Sequence, residues 1–422
     1  MKKKIALSLF CSSGIGDIAL RKLNYDVIVA NELIKDRCSI YKRNFPETEM
    51  VCGDIWKKKN EIINLAKKKI NNKKLNLALV SPPCQGMSKN GRGKLLSEIK
   101  AGRRPSQDER NLLIIPAIEI LKKLKPETII FENVTEMKDT MIYVNKKFVA
   151  ILDFIKNQLK EYHVEPRVVN LADYGIPQMR KRLITIATLN KKIISSQKKI
   201  DSLFPQITHT NIKNTKLKKW VTTKDAIDGL EKLDGKYKIF SDKDELHKVA
   251  KLDEKKYWWV SNTPINNSAF NNQCVKCKYK KNPLHFSKKN NLGVNQSSKD
   301  TPFYCLKCKS LLPRPITKKD GKIKIMRGFT SAYKRMDWLK PASTITRNFP
   351  YVCSDNKIHP NQNRSLSYRE ACILHTINKN DFIFESEKLV KVKDILIRDT
   401  LGESIPPKFL VILINHLENL IN

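Results

Sequence analysis

Acidic residues are scarce in this sequence. Its 422 residues include 42 Asp and Glu against 81 Lys and Arg, which gives a formal net charge of +39. The excess is spread over the whole chain, and a field of this sign favours a polyanionic partner, most simply nucleic acid, over a membrane surface. A compositional bias of a chain also rich in Asn and Ile is the alternative explanation for some of these lysines.

Long hydrophobic runs are also missing. No stretch reaches the roughly 18 apolar residues that a transmembrane helix needs. The apolar run at residues 5–10 is six residues long, below the about 7–15 of a secretory signal. We therefore expect no membrane partner, no export and a cytoplasmic location. Four of the ten cysteines form two close pairs, which indicates metal binding and catalysis in a reducing compartment rather than a disulfide scaffold.

The apolar content of 41% is enough for real cores, and the length suits two or three domains. Over residues 1–190 short apolar runs alternate with amphipathic stretches, which predicts an α/β domain with a mostly parallel sheet and helices on both faces. The pattern decays over 191–340, a smaller inserted domain, and returns over the closing segment 341–422. The predicted strands are KIALSLF, DVIVANE, LALV, TIIFEN and RLITIATL, and the predicted helices include NLLIIPAIEILKKL, SYREACILHTI and PPKFLVILINHLENLI.

One cysteine follows two prolines at the end of the apolar run LALVSPPCQ. Pro82 and Pro83 cannot continue a sheet ladder, so the run is predicted to be a buried strand that ends there. Ligands of open α/β sheets bind in the crevice beyond the carboxyl ends of the strands. Cys84 is therefore a candidate nucleophile, and a small buried apolar residue is the alternative.

A glycine-containing turn, FCSSGIGD, follows the first predicted strand and leads into a helix. Small residues in such a turn let a ligand approach the backbone. The second strand ends at Glu32, sixteen residues beyond Gly16, close to the offset of about 20 at which nucleotide-binding folds place an acid on ribose hydroxyls. Asp54 follows another extended segment. Together these features predict a nucleoside-containing cofactor, and two surface acids are the alternative.

Charged side chains also stand at the fourth and fifth predicted strands. Glu132 ends the fourth strand and would share the carboxyl edge with Cys84. Arg180 and Arg182 precede the fifth strand and point to the same side of an extended segment, which suits a phosphate or a polarised carbonyl oxygen. A helix-capping acid and an ordinary arginine pair in a basic chain are the alternatives.

Two CxxC pairs lie in the middle of the chain. Cys274 and Cys277 are separated by 27 residues from Cys305 and Cys308. Four thiolates in this arrangement predict a tetrahedral structural zinc site, although the separation exceeds the usual about 15–20 residues. A redox role is the alternative. His285 lies between the pairs, but the four cysteines already complete the zinc shell.

This series of segments resembles the DNA (cytosine-5) methyltransferases. Six signatures stand in the family's order: FCSSGIG, the acid of ANE, GDI, PPCQ, FENV and QMRKR. The late segments PASTIT, SYREA and GESIPP look like the family's closing motifs. The resemblance covers residues 4–190 and about 325–422, and it leaves the middle as the family's variable target-recognition region.

The resemblance implies an S-adenosylmethionine-dependent enzyme with a Rossmann-like domain. Its Cys84 would attack C6 of a cytosine extruded from double-stranded DNA, while Glu132 would engage N3 and the exocyclic amine. Arg180 would contact the flipped base, Arg182 would support the site, and Gln85 would stand beside the nucleophile at the start of a mobile loop. The implied cofactor residues are Phe10, Gly14 and Gly16 at the methionine end, Glu32 at the ribose, Asp54 and Ile55 at the adenine, with Pro82 and Ser404.

The sequence departs from the family at three places. Ser12 and Ile15 stand where glycine is usual, and Glu403 stands where asparagine is usual. The resemblance otherwise implies a monomer that protects host DNA in a restriction-modification system, with a restriction endonuclease acting on the same site as a partner. An RNA cytosine-5 methyltransferase acting on transfer RNA and a non-catalytic zinc-ribbon nucleic-acid-binding protein are the alternatives.

Overall fold

The structure is a computed structural model. It describes residues 3–83, 109–200, 202–289, 295–298, 300–319, 321–326, 331–385 and 393–421.

The strands of the described residues are β1 (Lys4–Leu9), β2 (Tyr25–Glu32), β3 (Glu49–Cys52), β4 (Leu75–Val80), β5 (Thr128–Asn133), β6 (Met141–Val144), β7 (Lys147–Ala150), β8 (His163–Asn170), β9 (Gln178–Met179), β10 (Lys181–Thr188), β11 (His209–Thr210), β12 (Lys218–Lys219), β13 (Phe240–Ser241), β14 (Asp244–Lys248), β15 (Ser287–Lys289), β16 (Asn295–Ser297), β17 (Ile316–Lys319), β18 (Lys322–Ile325) and β19 (Ala342–Ser343).

The α-helices of the same residues are α1 (Asp17–Lys22), α2 (Lys35–Asn44), α3 (Ile55–Ile70), α4 (Ile114–Leu124), α5 (Ile151–Gln158), α6 (Lys191–Ile200), α7 (Thr223–Ile227), α8 (Glu254–Ser261), α9 (Tyr368–Leu374), α10 (Asp394–Glu403) and α11 (Pro407–Asn419). Short 3-10 turns span Glu109–Leu113, Thr135–Asp139, Leu171–Tyr174 and Ala269–Asn271.

A central sheet runs in the order β3-β2-β1-β4-β5-β10-β8. The strands from β3 to β5 are parallel to their neighbours, whereas β10 is antiparallel to both β5 and β8. The predicted α/β class with a mostly parallel sheet is therefore confirmed, and each predicted strand is present. The edge strand β8 was not predicted, because its sequence HVEPRVVN contains a proline and three charged or titratable side chains; proline is tolerated at a sheet edge.

Helices cover both faces of this sheet, as the sequence predicted. Along β1 and β4 successive residues point to opposite faces, so that Leu7 and Ala78 pack with α3, α4 and α5, while Ala6 and Leu77 pack with α1, α6 and α11. Helix α11 comes from the end of the described chain and is apolar on its inner face. The closing segment therefore completes the core of the first domain.

The middle of the chain has a smaller apolar core. Its buried members come from α8 and from loops and short hairpins around it, and they include Trp259, Phe270 and Tyr333. Val352 and Ile358 join the same cluster, although both follow residue 340, where the sequence places the start of the closing segment. The domain boundaries stay a prediction. In the described residues no helix is long and apolar enough to cross a membrane.

Candidate active site

The carboxyl ends of β1, β4 and β5 meet at one edge of the sheet. The Ser81 amide donates a hydrogen bond to the Leu9 carbonyl at 3.2 Å, which carries the chain from β4 toward the double proline. The buried Asn133 amide group donates to the Pro82 carbonyl at 3.1 Å, and its oxygen accepts from the Val134 amide. Asn133 thus fastens the FENV segment to the PPCQ segment. Cys84 and Gln85, the two predicted catalytic residues that follow, lie outside the described residues.

Glu132 and Arg182 form an ion pair at this edge. The two residues sit on adjacent antiparallel strands, and Arg182 Nε lies 2.8 Å from Glu132 Oε1. The Glu132 side chain is 7% exposed and that of Arg182 is 12% exposed. A carboxylate so little exposed needs a cationic or hydrogen-bonding partner, and this contact fixes its orientation. The structure therefore brings together two of the predicted catalytic residues.

Arg180 makes a different set of contacts. Its buried guanidinium donates to the carbonyls of Ile345 at 2.8 Å, Gly402 at 3.2 Å and Ser404 at 2.5 Å. These carbonyls belong to the PASTIT and GESIPP segments, so Arg180 ties both closing motifs to the strand that carries Arg182. Its predicted contact with the flipped base stays a prediction.

Gln178 reinforces the same junction. This buried side chain accepts from the Ile345 amide at 2.9 Å and donates to the Leu374 carbonyl at 3.1 Å. The ring of His375 lies beside it, with 3.3 Å between Gln178 Nε2 and His375 Nδ1. Burial and the nearby Arg180 charge hold the pKa of His375 well below its usual value. His375 is therefore neutral at pH 7 and packs in the junction as an uncharged ring.

The glycine turn after β1 has an unusual backbone. Phe10 and Ser12 adopt positive φ angles of 57° and 52°, and Gly14 has a φ of 92°. A Cβ atom on Gly14 would lie 2.6 Å from the Phe45 ring, and one on Gly16 would lie 3.4 Å from Leu79. Gly14 is thus required by packing and by its backbone, whereas a side chain at Gly16 would meet only an ordinary contact. The predicted place of both glycines at the cofactor stays a prediction.

The predicted ribose acid is held beside this turn. Glu32 accepts from the amides of Ser12 at 3.1 Å and Ile34 at 2.8 Å. Burial raises its pKa, and the Ile34 amide and the nearby Arg37 charge oppose that shift. Asp54 caps α3 by accepting from the Trp56 amide at 3.0 Å. Of the predicted adenine contacts, Ile55 is the first residue of that helix and is 2% exposed within the core.

These residues fit a nucleoside-containing cofactor. Glu32 and Asp54 end β2 and follow β3 on the same carboxyl edge as Pro82, where such a ligand binds. The buried Ser12 hydroxyl has no hydrogen-bond partner among the described residues. A buried polar atom without a partner is costly, and it marks a place where a polar ligand group fits.

Glu403, the departure from the family's asparagine, bridges two arginines. Its carboxylate lies 2.8 Å from Arg37 Nη1 and 3.4 Å from Arg347 Nη1. Arg347 also binds Asp399 through two hydrogen bonds of 2.9 and 2.7 Å. The negative charge that Glu403 introduces is therefore matched by cations of α2 and of the loop after β19. Ser404, a predicted cofactor residue, donates its hydroxyl to the Leu401 carbonyl.

Asp17, which follows the glycine turn, has a buried position that sequence reasoning did not predict. It is 1% exposed and accepts from the hydroxyls of Ser8 at 2.8 Å and Tyr41 at 2.7 Å. Burial raises its pKa to about 6, although both hydroxyls lower it. An aspartate at the start of an otherwise apolar helix turn, DIAL, is the sequence feature that could have predicted a buried acid with hydrogen-bond donors around it. Asn133 of the FENV segment is a second such residue, because its hydrogen bond to the Pro82 carbonyl could not be predicted from the sequence.

The four middle-domain cysteines come together. Their sulfur atoms all lie within 4.8 Å of one another, and neighbouring pairs such as Cys274 and Cys308 are 3.5 Å apart. Cys274 and Cys305 are buried. His285 makes other contacts. Its Nδ1 atom lies 2.6 Å from the Thr301 hydroxyl, and its ring stacks on Phe270. Four thiolates at this spacing fit a zinc ion.

Comparison with known proteins agrees with this geometry. The family model of C-5 cytosine-specific DNA methylases matches residues 5–419. The chain is 31% identical over 426 residues to the type II methyltransferase M1.HgaI of Avibacterium volantium, with 96% of each chain covered. It is 23% identical over 407 residues to the type II methyltransferase M1.HphI of Haemophilus parahaemolyticus, covering 95% of this chain and 83% of the relative.

Solved structures support the fold. The Dnmt2 methyltransferase of S. pombe superposes with a TM-score of 0.54 at 14% identity, with all of both chains covered. The Entamoeba histolytica methyltransferase EhMeth gives a TM-score of 0.53 at 16% identity over 99% of each chain. The chain belongs to the C-5 cytosine-specific DNA methylase family. It is accordingly an S-adenosylmethionine-dependent enzyme that methylates cytosine in DNA.

Proposed function

We propose that this methyltransferase modifies one cytosine of a specific duplex sequence, with Cys84 as nucleophile and Glu132 as the group that engages the cytosine ring. The ion pair between Glu132 and Arg182 carries the proposal. It holds a carboxylate at the sheet edge to which Asn133 fastens the PPCQ segment. A thiolate and a fixed acid are the two groups that the reaction needs at the base.

Each group has a defined task. Addition of the Cys84 thiolate to C6 makes C5 of the cytosine nucleophilic, and Glu132, in its protonated form, donates its O–H to N3, which disperses the charge created by the addition. The cofactor supplies an electrophilic methyl group when bound, and Glu32, Asp54 and the turn from Phe10 would hold it. C5 takes the methyl group, and the electron pair of the broken carbon–sulfur bond stays on the sulfur, which becomes a neutral thioether. A base then removes the C5 proton, and the thiolate leaves as the ring regains aromaticity.

The biological setting is part of the proposal. The relatives M1.HgaI and M1.HphI are named type II methyltransferases, which supports a restriction-modification role with an endonuclease that acts on the same site. We expect a monomer in the cytoplasm, where host DNA lies. Base-resolution methylation mapping in a host without other cytosine methylation tests this role. Sparse modification without a fixed motif would contradict it.

The second part of the proposal is a structural zinc ion in the middle domain. Cys274, Cys277, Cys305 and Cys308 would occupy all four positions of a tetrahedral ion, which leaves none for a substrate or a water. The ion would therefore stabilise the middle domain and take no part in methyl transfer. Metal analysis of the purified chain should find about one zinc per chain, as a single four-cysteine site requires.

The first experiment is transfer of a labelled methyl group from S-adenosylmethionine to unmethylated genomic DNA and, separately, to total transfer RNA. Cys84→Ser should abolish label in DNA, whereas Cys353→Ser, at an exposed cysteine outside both sites, should retain it. Label in RNA alone would contradict the proposed substrate. No label with the wild-type protein would favour a nucleic-acid-binding role instead.

A further inference from the structure

The four cysteines lie in two short segments of the same design. The first knuckle, Cys274–Lys278, reads CVKCK, and the second knuckle, Cys305–Lys309, reads CLKCK. Each knuckle thus places one lysine before its second cysteine and one directly after it. The backbone repeats as well, because Lys278 has a φ of 57° and Lys309 has a φ of 58°.

These knuckles carry a concentrated positive charge. Lys276, Lys278, Lys307 and Lys309 are all exposed, and Lys280 and Lys281 continue the exposed charge after the first knuckle. Residues 271–286 and 301–311 contain no Asp or Glu. Within the described part of the chain, no ion pair or hydrogen bond involves the ammonium groups of these lysines. The knuckles therefore present cations whose charge the protein itself leaves available to another molecule.

The backbone at the two trailing lysines forms the same left-handed turn. A positive φ favours glycine, and asparagine tolerates it better than lysine does. The chain has asparagine in this conformation at Asn24, Asn71 and Asn214, but it also has lysine there at Lys125 and Lys146. The turn therefore shows that the two knuckles share one geometry, and their exposed charge is what indicates a function.

The knuckles are fixed to the rest of the middle domain. Buried Arg314 donates to the carbonyls of Asn272 at 2.9 Å and Pro302 at 2.6 Å, which joins the segments leading into both knuckles. Asn272 in turn donates to the Trp259 carbonyl at 2.9 Å. Lysines held on such a frame can contact phosphates at set positions, which fixes the register of a protein on DNA.

We propose that the two knuckles form a phosphate clamp, in which Lys276, Lys278, Lys307 and Lys309 bind the backbone of the duplex whose cytosine is methylated. The inference rests on the proposed DNA substrate. It separates phosphate binding from base recognition within the middle domain. The clamp supplies affinity that depends on salt and is independent of sequence. Base recognition falls to other surfaces of the same domain.

The test uses the zinc-loaded full chain with Lys278→Gly and Lys309→Gly together. Glycine relieves the strained backbone, so the melting temperature should rise or stay unchanged. Binding to a duplex should become less sensitive to salt, with the slope of log affinity against log salt smaller by about 1.8, because each lost phosphate contact removes about 0.9. The change should be equal for a duplex carrying the mapped target site and for one lacking it.

Lys125→Gly is the matched control. Lys125 has a φ of 47° at the end of α4 and pairs with Glu161 on the first domain, so glycine should affect stability there and leave the salt slope unchanged. Lys276→Gln with Lys307→Gln repeats the test without altering a strained position, and should also reduce the slope by about 1.8.

The outcomes separate this inference from the proposed function. Retained methyl transfer to DNA at low salt with a reduced salt slope supports the clamp. An unchanged slope in both double variants overturns the clamp and leaves the methyltransferase intact. A folded variant whose rate of methyl transfer falls even at saturating DNA also overturns it, because the lysines would then act in catalysis and not in binding. A wild-type protein that transfers no methyl group to DNA contradicts the proposed function itself.

Discussion

The first domain, built around the central sheet, and the middle domain, predicted at residues 191–340, are stabilised by different interactions. The first domain packs two apolar clusters against the faces of one sheet. The middle domain has a smaller apolar cluster and adds four clustered cysteines and two buried arginines, Arg314 and Arg335. Small apolar cores rarely suffice alone. The middle domain thus relies on hydrogen bonds of buried arginines, and on the proposed zinc ion at the four cysteines, where the first domain relies on buried apolar area.

Arg335 shows this substitution most clearly. Its guanidinium donates five hydrogen bonds, to the carbonyls of Val260, Thr263, His359 and Gln362 and to the side chain of Asn363. Burial lowers its pKa to about 10, so it remains charged at pH 7. A cation surrounded by carbonyl oxygens joins loops that have few apolar residues of their own. In the first domain Arg180 makes contacts of the same kind, but there they add to the connections made by sheet ladders and helix packing.

Removal of the proposed zinc ion should have the largest effect on the difference between the two domains. Cys277→Ser or a chelator should unfold the middle domain before the sheet, because structural zinc in small domains contributes about 10–16 kcal/mol. Hydrogen exchange, followed separately in α8 and in β1, measures the two domains. Cys353→Ser is the control and should change neither. A metal-free protein that protects α8 as fully as the zinc-loaded one would contradict the zinc site.

Arg335→Met should have the next largest effect. It removes a buried cation and leaves its carbonyl partners without a donor, and losses of this kind cost about 3–5 kcal/mol. Denaturant unfolding should show the loss in the middle domain, while exposed Arg43→Met in the first domain stays within about 0.5 kcal/mol. Equal stabilities of the two variants would mean that the arginine network does not hold the middle domain.

Arg182→Gln tests an arginine of the first domain. In contrast to Arg335→Met, this variant should affect the methylation rate more than the stability. The glutamine amide can still donate a hydrogen bond to the little-exposed Glu132 carboxylate, so the melting temperature should fall less than for Arg335→Met. The methylation rate should fall by about 10²–10³, the size of effect expected when a group that positions charge in an active site is removed. Single-turnover methyl transfer measures the rate, and Arg167→Gln on the exposed edge strand β8 is the control. A variant as active as wild type would remove Arg182 from the catalytic set.

Asp17→Asn should have the smallest effect. Burial raises the Asp17 pKa from its ordinary 3.8 to about 6, so between these values the folded protein binds a proton that the unfolded chain does not. This contribution is fully present below about pH 4 and is lost as the pH rises to about 6, which amounts to at most about 3 kcal/mol. Measured across this range, the stability of Asp17→Asn relative to wild type should rise. A pH-independent difference would contradict the shifted pKa.

Much of the fold could be predicted from the sequence, and less of the site. The parallel strands and the helices α4, α9 and α11 follow from runs and periods of apolar residues. Strand β8 could not be predicted, because an edge strand needs few apolar residues and its sequence has no apolar run. At the site, the sequence supplied Glu132 and Arg182 as candidates, but their 2.8 Å contact depends on the antiparallel register of β5 and β10. Arg180 and Arg182 could not be told apart in the sequence, although Arg182 pairs with Glu132 and Arg180 donates to carbonyls of the closing motifs.

The chemical class followed from residue types and spacing, which also supplied the candidate nucleophile, acid and metal ligands. Nucleophile, acid and thiolate ligands are properties of residue type and spacing, and those properties are local. Tertiary structure alone decided the partners: Glu403 with Arg37, Asp17 with Tyr41, and Arg335 with carbonyls from several loops. These contacts join residues far apart in the chain, and only packing brings such groups within hydrogen-bonding distance. The charge of each side chain was fixed by its identity, whereas its neighbours, and hence its pKa and role, were fixed by the fold.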